Sequence, residues 1–189
     1  EERIDFGPPV GTLVAHHTIH SEPITFWHAW KDQGLSSATW KLALPPDFTA
    51  QMKFLARIGM TRLDKIDVGD VQVRPRDVLL KVVGELPEPT GTNIEITTVV
   101  VGVVRGLADG REVEWRVRAV APPPEGRPDA GVGMLTGVSP AIVAKMLARG
   151  DIQGPGVFVP EQVVPPEEFF AELAGWGVTF DASMREVIA

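Results

Sequence analysis

The chain has 189 residues, a formal net charge of −7 and no cysteine, and its 44% share of hydrophobic residues is ordinary for a globular protein. The lack of cysteine excludes disulfides, zinc–thiolate sites and a cysteine nucleophile. Because an acidic chain without a Lys/Arg cluster has no basic face for phosphate groups, we expect neither a nucleic-acid nor a membrane partner.

The first two expected strands lie within the first fifty residues. Residues 10–20 are rich in β-branched side chains and lack acidic or Lys/Arg charge, which favours a strand. Pro23 cannot donate to a strand ladder, so we expect that strand to stop there. A second, shorter strand is expected over residues 38–44, before Pro45.

Two helices are expected next. The first begins at Asp47 and ends before Gly59, because its apolar residues recur at helical spacing. Those residues are Phe48, Met52, Leu55 and Ile58. The second covers residues 75–83, with a proline in its first turn and Gly84 beyond its end.

A long β-hairpin over residues 94–120 is the strongest local signal. Apolar residues alternate along both halves, and in residues 112–118 they alternate with Glu and Arg. Asp109-Gly110 between the halves suits a tight hairpin turn, since glycine supplies the positive φ that the turn requires. We therefore expect a second strand with one buried face and one charged, solvated face.

A Pro- and Gly-rich connector over residues 122–129 is the best candidate boundary. It divides the chain into an expected substrate and dimerisation domain, residues 1–125, and a carboxy-terminal helical segment, residues 126–189. The order of elements predicts an α+β fold, with a mixed or antiparallel sheet, helices on one face and that carboxy-terminal helical segment.

Two helices are expected in the carboxy-terminal segment. Ser139 is a suitable N-cap and Pro140 a suitable first residue for a helix that ends at Arg149. Another helix is expected over residues 166–175. The longest strongly apolar run, residues 99–104, is too short to cross a bilayer and no signal peptide is visible, so a cytoplasmic location is expected.

All four histidines lie in residues 16–28. On a strand, His16 and His20 would point to the same side, and Glu22 could complete a metal site with them. The spacing does not match the helical His-Glu-x-x-His pattern, so we expect no metal. An active-site histidine beside a carboxylate is the more attractive interpretation, because imidazole titrates near neutral pH. The alternative, in which Glu22 only satisfies a buried His20, is about equally good.

Gly131, Gly133 and Gly137 superficially resemble a dinucleotide-binding fingerprint. That fingerprint needs a preceding buried strand and a following βαβ unit, whereas a proline-rich connector precedes these glycines. We expect a flexible loop that enters a helix N-terminus. Such a junction can bind an anion through its exposed amides, or be a plain connection, and the plain connection is favoured.

Three stretches resemble one family. Thr18-Ile19-His20-Ser21-Glu22-Pro23 resembles the segment that opens the second domain of saccharopine dehydrogenase-like proteins. Residues 134–150, from Met-Leu-Thr-Gly-Val-Ser-Pro to Ala-Arg-Gly, look like the carboxy-terminal helix of that family. Residues 156–161 and 166–173 look like its closing stretch. The resemblance spans nearly the whole chain, and the helix segment is its most specific part.

The resemblance implies an oxidoreductase that acts at the carbon–nitrogen bond of amino acids or imine adducts. It implies an upstream Rossmann domain that holds NAD or NADP, against which residues 126–189 would pack, and a homodimer. We assign site residues accordingly. They are His20 and Glu22 as catalytic, His16 and Ser21 as substrate-binding, and Thr136 and Ser139 as facing the cofactor. The alternative is a non-catalytic dimerising or ligand-binding domain that has kept only the fold.

Overall fold

The structure, a computed structural model, describes residues 1–87 and 95–187. The fold is α+β, as predicted, and the strand pairs whose register is defined are antiparallel. The chain forms two compact units: one contains Glu1–Leu42 and Asn93–Ala189, and the other contains Ala43–Thr92. Each unit has its own sheet or hairpin, and the candidate site residues all belong to the first.

The first sheet of the larger unit has the order β1-β2-β3. Its strands are β1 (Glu2–Asp5), β2 (Thr12–His17) and β3 (Lys41–Ala43). The strand predicted over residues 10–20 therefore ends at His17, earlier than expected. Helix α1 (Glu22–Trp30) follows it. Pro23 lies in the first turn of α1, where its missing N–H is not needed. The prediction that Pro23 terminates a strand was wrong for this reason.

The second sheet has the order β6-β7-β8, with β6 at Thr98–Ala108, β7 at Arg111–Ala121 and β8 at Thr179–Glu186. The predicted hairpin is confirmed: Asp109 and Gly110 form its two-residue turn with φ of 50° and 75°. Ile94, the predicted first residue of the hairpin, lies outside the described residues.

The charged face of β7 is less solvated than predicted. Glu114 is only 7% exposed, and its carboxylate accepts hydrogen bonds from Arg105 at 2.6 Å and Arg185 at 2.7 Å. The hydrogen bond from Arg105 lowers the pKa of Glu114, burial raises it less, and Arg185 lowers it further. The prediction of a wet face was wrong at its centre, because arginines on both neighbouring strands close over the carboxylate.

Two further arginines on the same face join the sheets. Arg116 donates to the carbonyl of Asp5, and Arg118 donates to the carbonyls of Phe6 at 3.3 Å and Pro8 at 2.8 Å. The Asp5 carbonyl lies at the end of β1, and those of Phe6 and Pro8 lie in the connection between β1 and β2. Guanidinium groups thus hold the amino-terminal hairpin against the charged face of the second sheet.

Three helices lie between β7 and β8: α4 (Gly131–Arg149), α5 (Pro160–Val163) and α6 (Pro166–Gly175). The helix predicted over residues 166–175 is confirmed. Helices α4 and α6 pack together, and Lys145 and Arg149 donate to Glu172 at 2.6 and 2.7 Å. The core of this unit is Ala121, Val138, Ile142, Met146, Ile152, Leu173 and Val178.

Helix α4 begins eight residues before the predicted start at Ser139. Pro140 is an interior helical residue, and the glycines predicted to form a loop are helical. Gly131 is required there, because a Cβ at that position would collide with the carbonyl oxygen of Ile96. Close packing against residues far away in the sequence therefore decides where the helix begins, and the Ser-Pro pattern does not.

Helix α4 also has the length and composition of a membrane span. Pro128–Arg149 has a mean hydropathy of 1.4, and 28% of its most apolar window is buried within the chain. Core helices of soluble proteins satisfy the same two criteria. The buried residues of α4 include Ile142 and Met146, which are 1% and 0% exposed and belong to the core.

The smaller unit consists of α2 (Pro46–Arg57), β4 (Ile66–Val68), β5 (Val71–Val73) and α3 (Pro75–Gly84). Both helices were predicted, within one residue at their starts. Among the described residues of this unit only Pro75 is fully buried, so the unit has almost no core of its own.

The sequence predicted a boundary near residue 125, but the two compact units do not divide there. The predicted segment 126–189 shares a unit with the first three strands. The physical reason is that β8 pairs with β7 and that α4 packs near Ala121 at the end of β7. The connector over residues 122–129 is thus a turn within one unit.

Candidate functional site

The position of His20 is fixed by the segment that links β2 to α1. The amide of Thr18 donates to the carbonyl of Trp40 at 3.2 Å, which holds this segment beside β3. The imidazole of His20 stacks on the indole of Trp40, with ring centroids 4.3 Å apart and planes 11° from parallel. Stacking and the backbone hydrogen bond together set the plane in which His20 presents its nitrogens.

Glu22 reaches His20 because a helix starts between them. Ser21 is the N-cap of α1, and its carbonyl accepts the amides of Ile24 and Thr25 at 2.9 and 3.1 Å. The carboxylate of Glu22 then turns back to Nδ1 of His20, and Ser21 Oγ donates to the same oxygen at 3.1 Å. The contact between His20 and Glu22 exists, but a helix start produces it and not a continuing strand.

The environment keeps Glu22 ionised. Burial raises the pKa of Glu22, but hydrogen bonds from His20, from its own backbone amide and from Ser21 together lower it below the usual value. An ionised carboxylate only accepts hydrogen bonds, so Nδ1 of His20 carries the proton that joins them. This assignment leaves Nε2 as the nitrogen that can accept a proton.

Nε2 of His20 is available to a ligand. The His20 side chain is 43% exposed, and no group in residues 1–87 or 95–187 hydrogen-bonds Nε2. A carboxylate that fixes one nitrogen of an imidazole and orients its ring is a common arrangement for a general base. His20, Ser21 and Glu22, which we call the His20 cluster, can therefore accept a proton from a bound group.

His16, the other predicted substrate-binding residue, lies on β2 and its Nδ1 is 3.6 Å from the carboxylate of Glu1. The structure records no contact between His16 and His20. Within the described part of the chain, no group of three or more His, Asp or Glu side chains could hold a metal ion. His16 thus stays a predicted substrate-binding residue without a partner in the His20 cluster.

Thr136 and Ser139, the predicted cofactor-facing residues, both lie within α4. Thr136 is exposed and its hydroxyl donates to the carbonyl of Val132 at 3.0 Å, while Ser139 is half-buried. Phosphate groups bind at the free amides of a helix N-terminus, and these residues come after the first turn. The two residues therefore do not lie at a helix N-terminus, and their orientation toward a cofactor stays a prediction.

The sequence did not indicate two further polar residues at this site. Thr25 follows Glu22 by three positions in α1, and its hydroxyl lies 2.8 Å from Oε1 of Glu161 in α5. Only a helix places positions three apart on one face, and no helix was predicted over residues 22–30. Glu161 is 136 residues from Thr25 in the sequence, so no local pattern could indicate their contact.

The family comparison agrees with the resemblance that the sequence suggested. Residues 6–178 match the model of the family described as Saccharopine dehydrogenase C-terminal domain. This match includes His20 and Glu22, strands β2, β3, β6 and β7 of the larger unit, and helices α1–α6, whereas β1 and β8 lie outside it. The chain belongs to the saccharopine dehydrogenase C-terminal domain family, and it is therefore an oxidoreductase-related domain.

Proposed function

We propose that the chain is the substrate-binding and dimerisation part of an NAD(P)-dependent oxidoreductase that acts at the carbon–nitrogen bond of an amino acid or an imine adduct. Its family is typically NAD(P)-dependent. We place the nucleotide on an upstream Rossmann domain of the same protein, because the chain itself contains no dinucleotide fingerprint. The observation that carries the proposal is the contact between His20 and Glu22.

The role that we propose for His20 is proton transfer at the substrate nitrogen. Oxidation or reduction at a carbon–nitrogen bond requires that the nitrogen lose or gain a proton. Neutral His20 would accept that proton at Nε2, and Glu22 would stabilise the resulting imidazolium through Nδ1. Ser21 would keep the Glu22 carboxylate oriented, since its hydroxyl donates to the same carboxylate oxygen.

Dimerisation is supported by the apolar face of the second sheet. Helices α4 and α6 cover one end of this face, near Ala121. At the other end Val104, Trp115 and Met184 are cross-strand neighbours, and they are 68%, 47% and 53% exposed. Such a continuous apolar patch is typical of a protein interface, and we propose a second copy as its partner.

The proposed catalytic role is tested by conservative substitutions in the full-length protein. Either His20→Asn or Glu22→Gln removes half of the proton-transfer pair, and we expect kcat/KM to fall by at least about a hundredfold. Turnover is measured as nucleotide oxidation or reduction with amino acids and the corresponding oxo acids. Circular dichroism and nucleotide titration establish that folding and cofactor binding persist.

His28→Asn is the matched control, because His28 is an exposed histidine in the last turn of α1, the helix that carries Glu22. We expect its turnover to remain near that of the unsubstituted protein. Near-normal turnover in both His20→Asn and Glu22→Gln would refute the catalytic assignment. Loss of turnover that merely follows unfolding would refute it as well.

A further inference from the structure

Strand β6 has an open edge. It pairs with β7 on one side, and no other strand in the described part of the chain pairs with it on the opposite side. Natural proteins usually protect such an edge with a lysine, a proline, a bulge or a covering element, because its unpaired N–H and C=O groups bind other strands. Residues 98–104 contain no charged residue and no proline, and their register with β7 has no bulge. Val103 and Val104 are 48% and 68% exposed, so this edge is open to a further strand.

The turn between β6 and β7 determines which backbone groups face this edge. Asp109 and Gly110 both have positive φ, which is the signature of a type I′ turn, and Ala108 and Arg111 close it as a hydrogen-bonded pair. Hydrogen-bonded and non-hydrogen-bonded pairs then alternate along the hairpin. The even-numbered residues of β6 therefore bond β7, and the N–H and C=O groups of the odd-numbered residues point to the open edge.

The sequence of β6 is complementary to itself. Val100-Val101-Gly102-Val103-Val104 reads the same in both directions. If two copies pair antiparallel about a twofold axis at Gly102, Val101 faces Val103 of the partner subunit, and Val100 faces Val104 of the partner subunit. Odd-numbered residues then meet odd-numbered residues, so the groups that point to the open edge bond each other. A closed dimer requires such a self-complementary surface.

The charge beside this segment agrees with the same register. Arg105 is the first charged residue of β6, and with the axis at Gly102 it faces Val99 of the partner subunit. An axis at Arg105 would place two arginines directly opposite each other, and like charges in that position destabilise a sheet. Arg105 also pairs with Glu114 of its own chain at 2.6 Å, so its charge has a partner within its own subunit. A second copy therefore fits the edge without opposing like charges.

We infer that β6 pairs with β6 of a second copy, so that the two β6-β7-β8 sheets form one continuous antiparallel sheet with Gly102 on the twofold axis. The inference rests on the dimerisation that is part of the proposed function, and it assigns that dimerisation to an edge of the sheet. The pairing also joins the apolar faces of the two sheets, because Val100 and Val104 lie on the face that carries Trp115.

Single cysteines test the position of the axis, because the chain has no cysteine of its own. Gly102→Cys places two thiols at a non-hydrogen-bonded pair, where the Cα atoms are about 4.5 Å apart and a disulfide can form. Gly106→Cys is the matched control, since an added Cβ meets nothing within 4 Å at either glycine. In this register the two copies of residue 106 are about 27 Å apart along the strands. After oxidation by copper phenanthroline, we expect at least about tenfold more disulfide-linked dimer from Gly102→Cys on non-reducing gels.

Proline substitutions test the hydrogen bonds of the edge. Proline at an odd-numbered position removes an N–H that points to the open edge and none that bonds β7. Val103→Pro removes a central bond on both sides of the axis, and we expect the dissociation constant of the dimer to rise at least about tenfold by sedimentation. Leu107→Pro is the matched control and should dimerise as the unsubstituted chain does, because it faces a residue before the start of β6 in the second copy. If Gly102→Cys does not fold by circular dichroism, the two proline variants carry the test alone.

Equal cross-linking of the two cysteine variants, or a Val103→Pro variant that dimerises normally, would overturn the inference. A dimer that persists in both cases would leave the proposed dimerisation standing and place it on another surface. Two sheets packed face to face are one such alternative, and they lie roughly 10 Å apart, too far for a disulfide between facing residues. A monomeric unsubstituted chain would refute the edge pairing and the dimerisation together. The turnover of the His20 variants is independent of each of these results.

Discussion

Glycines of α4 have different surroundings although they share one helix. An added Cβ at Gly131 would collide with the Ile96 carbonyl, whereas nothing lies within 4 Å of the corresponding position at Gly137. Gly131→Ala should destabilise the chain by roughly 1–3 kcal/mol through overpacking. Gly137→Ala should stabilise it by roughly 0.5–1 kcal/mol, since alanine is the better helix former. Urea unfolding of both variants measures the difference, and an equal effect of the two would contradict it.

For single residues, the candidate site also shows what a local sequence pattern can predict. His20 and Glu22 were predicted as a pair because residues two positions apart on a continuing strand point to the same side. The backbone assumed for them was wrong, since a proline after two polar residues suits a strand end and a helix start equally well. Thr25 and Glu161 could not be predicted, because their contact depends on how α5 packs on α1.

One side of helix α4 is buried and the other is exposed. Substitutions on the two sides therefore test how the helix packs. Ile142 is 1% exposed and Leu147 is 55% exposed. Ile142→Ala should lower the free energy of unfolding by about 2–5 kcal/mol, because it leaves a cavity in the core. Leu147→Ala should change it by less than about 0.5 kcal/mol. Chemical denaturation compares the two variants, and similar losses would show that the helix packs differently.

The exposure of Leu147 also bears on the predicted partner of α4. The apolar stripe of the helix consists of Ile142, Val143, Met146 and Leu147, and without the Rossmann domain we expect either a partly exposed stripe or a substitute contact from a second copy. Ile142 and Met146 are buried in the core, Val143 is half-buried and Leu147 is exposed. The expectation that part of this stripe is exposed is confirmed. The domain or second copy that would cover it stays a prediction.

Helices and strands could be predicted where residues close together in the sequence determine them. The β6–β7 hairpin follows from alternation and from Asp109-Gly110, and the α6 helix from a proline and acidic residues in its first turn. The start of α4 was mispredicted because glycines have low intrinsic helix propensity. Close contact with Ile96 and burial of Val138 outweigh that propensity, and both are tertiary effects.

For the whole molecule, the exposed surface is larger than a monomer of this mass usually has, which supports the proposed partners. It exposes 14061 Å². A self-contained monomer of this mass exposes about 8,900 Å², and two separately folded units of these sizes about 10,000 Å². Much of the excess is apolar and includes the open end of the β6-β7-β8 sheet. Domains that bury so little of their own apolar surface are usually completed by another domain or another copy.

Self-association through this sheet can be tested on its two faces. Val104 and Leu107 are both exposed on β6 but point to opposite faces, since they are an odd number of residues apart. We expect the unsubstituted chain to be dimeric by sedimentation at micromolar concentration, and Val104→Glu to be monomeric, because it places a charge in the apolar patch. Leu107→Glu should remain dimeric. A single species of 20.5 kDa for the unsubstituted chain would refute the proposal.

The arginine contacts between the two sheets of the larger unit have a consequence for synthesis on the ribosome. Arg118 donates to the carbonyl of Pro8, 110 residues earlier in the chain. At ordinary translation rates the amino-terminal hairpin therefore waits about 5–20 s for the arginines that hold it. The strand β3 adds only three residues to this hairpin, and so small a sheet is marginally stable alone, so we expect this segment to unfold reversibly during that interval. Its amides should gain protection from hydrogen exchange on the nascent chain only after β7 has been synthesised.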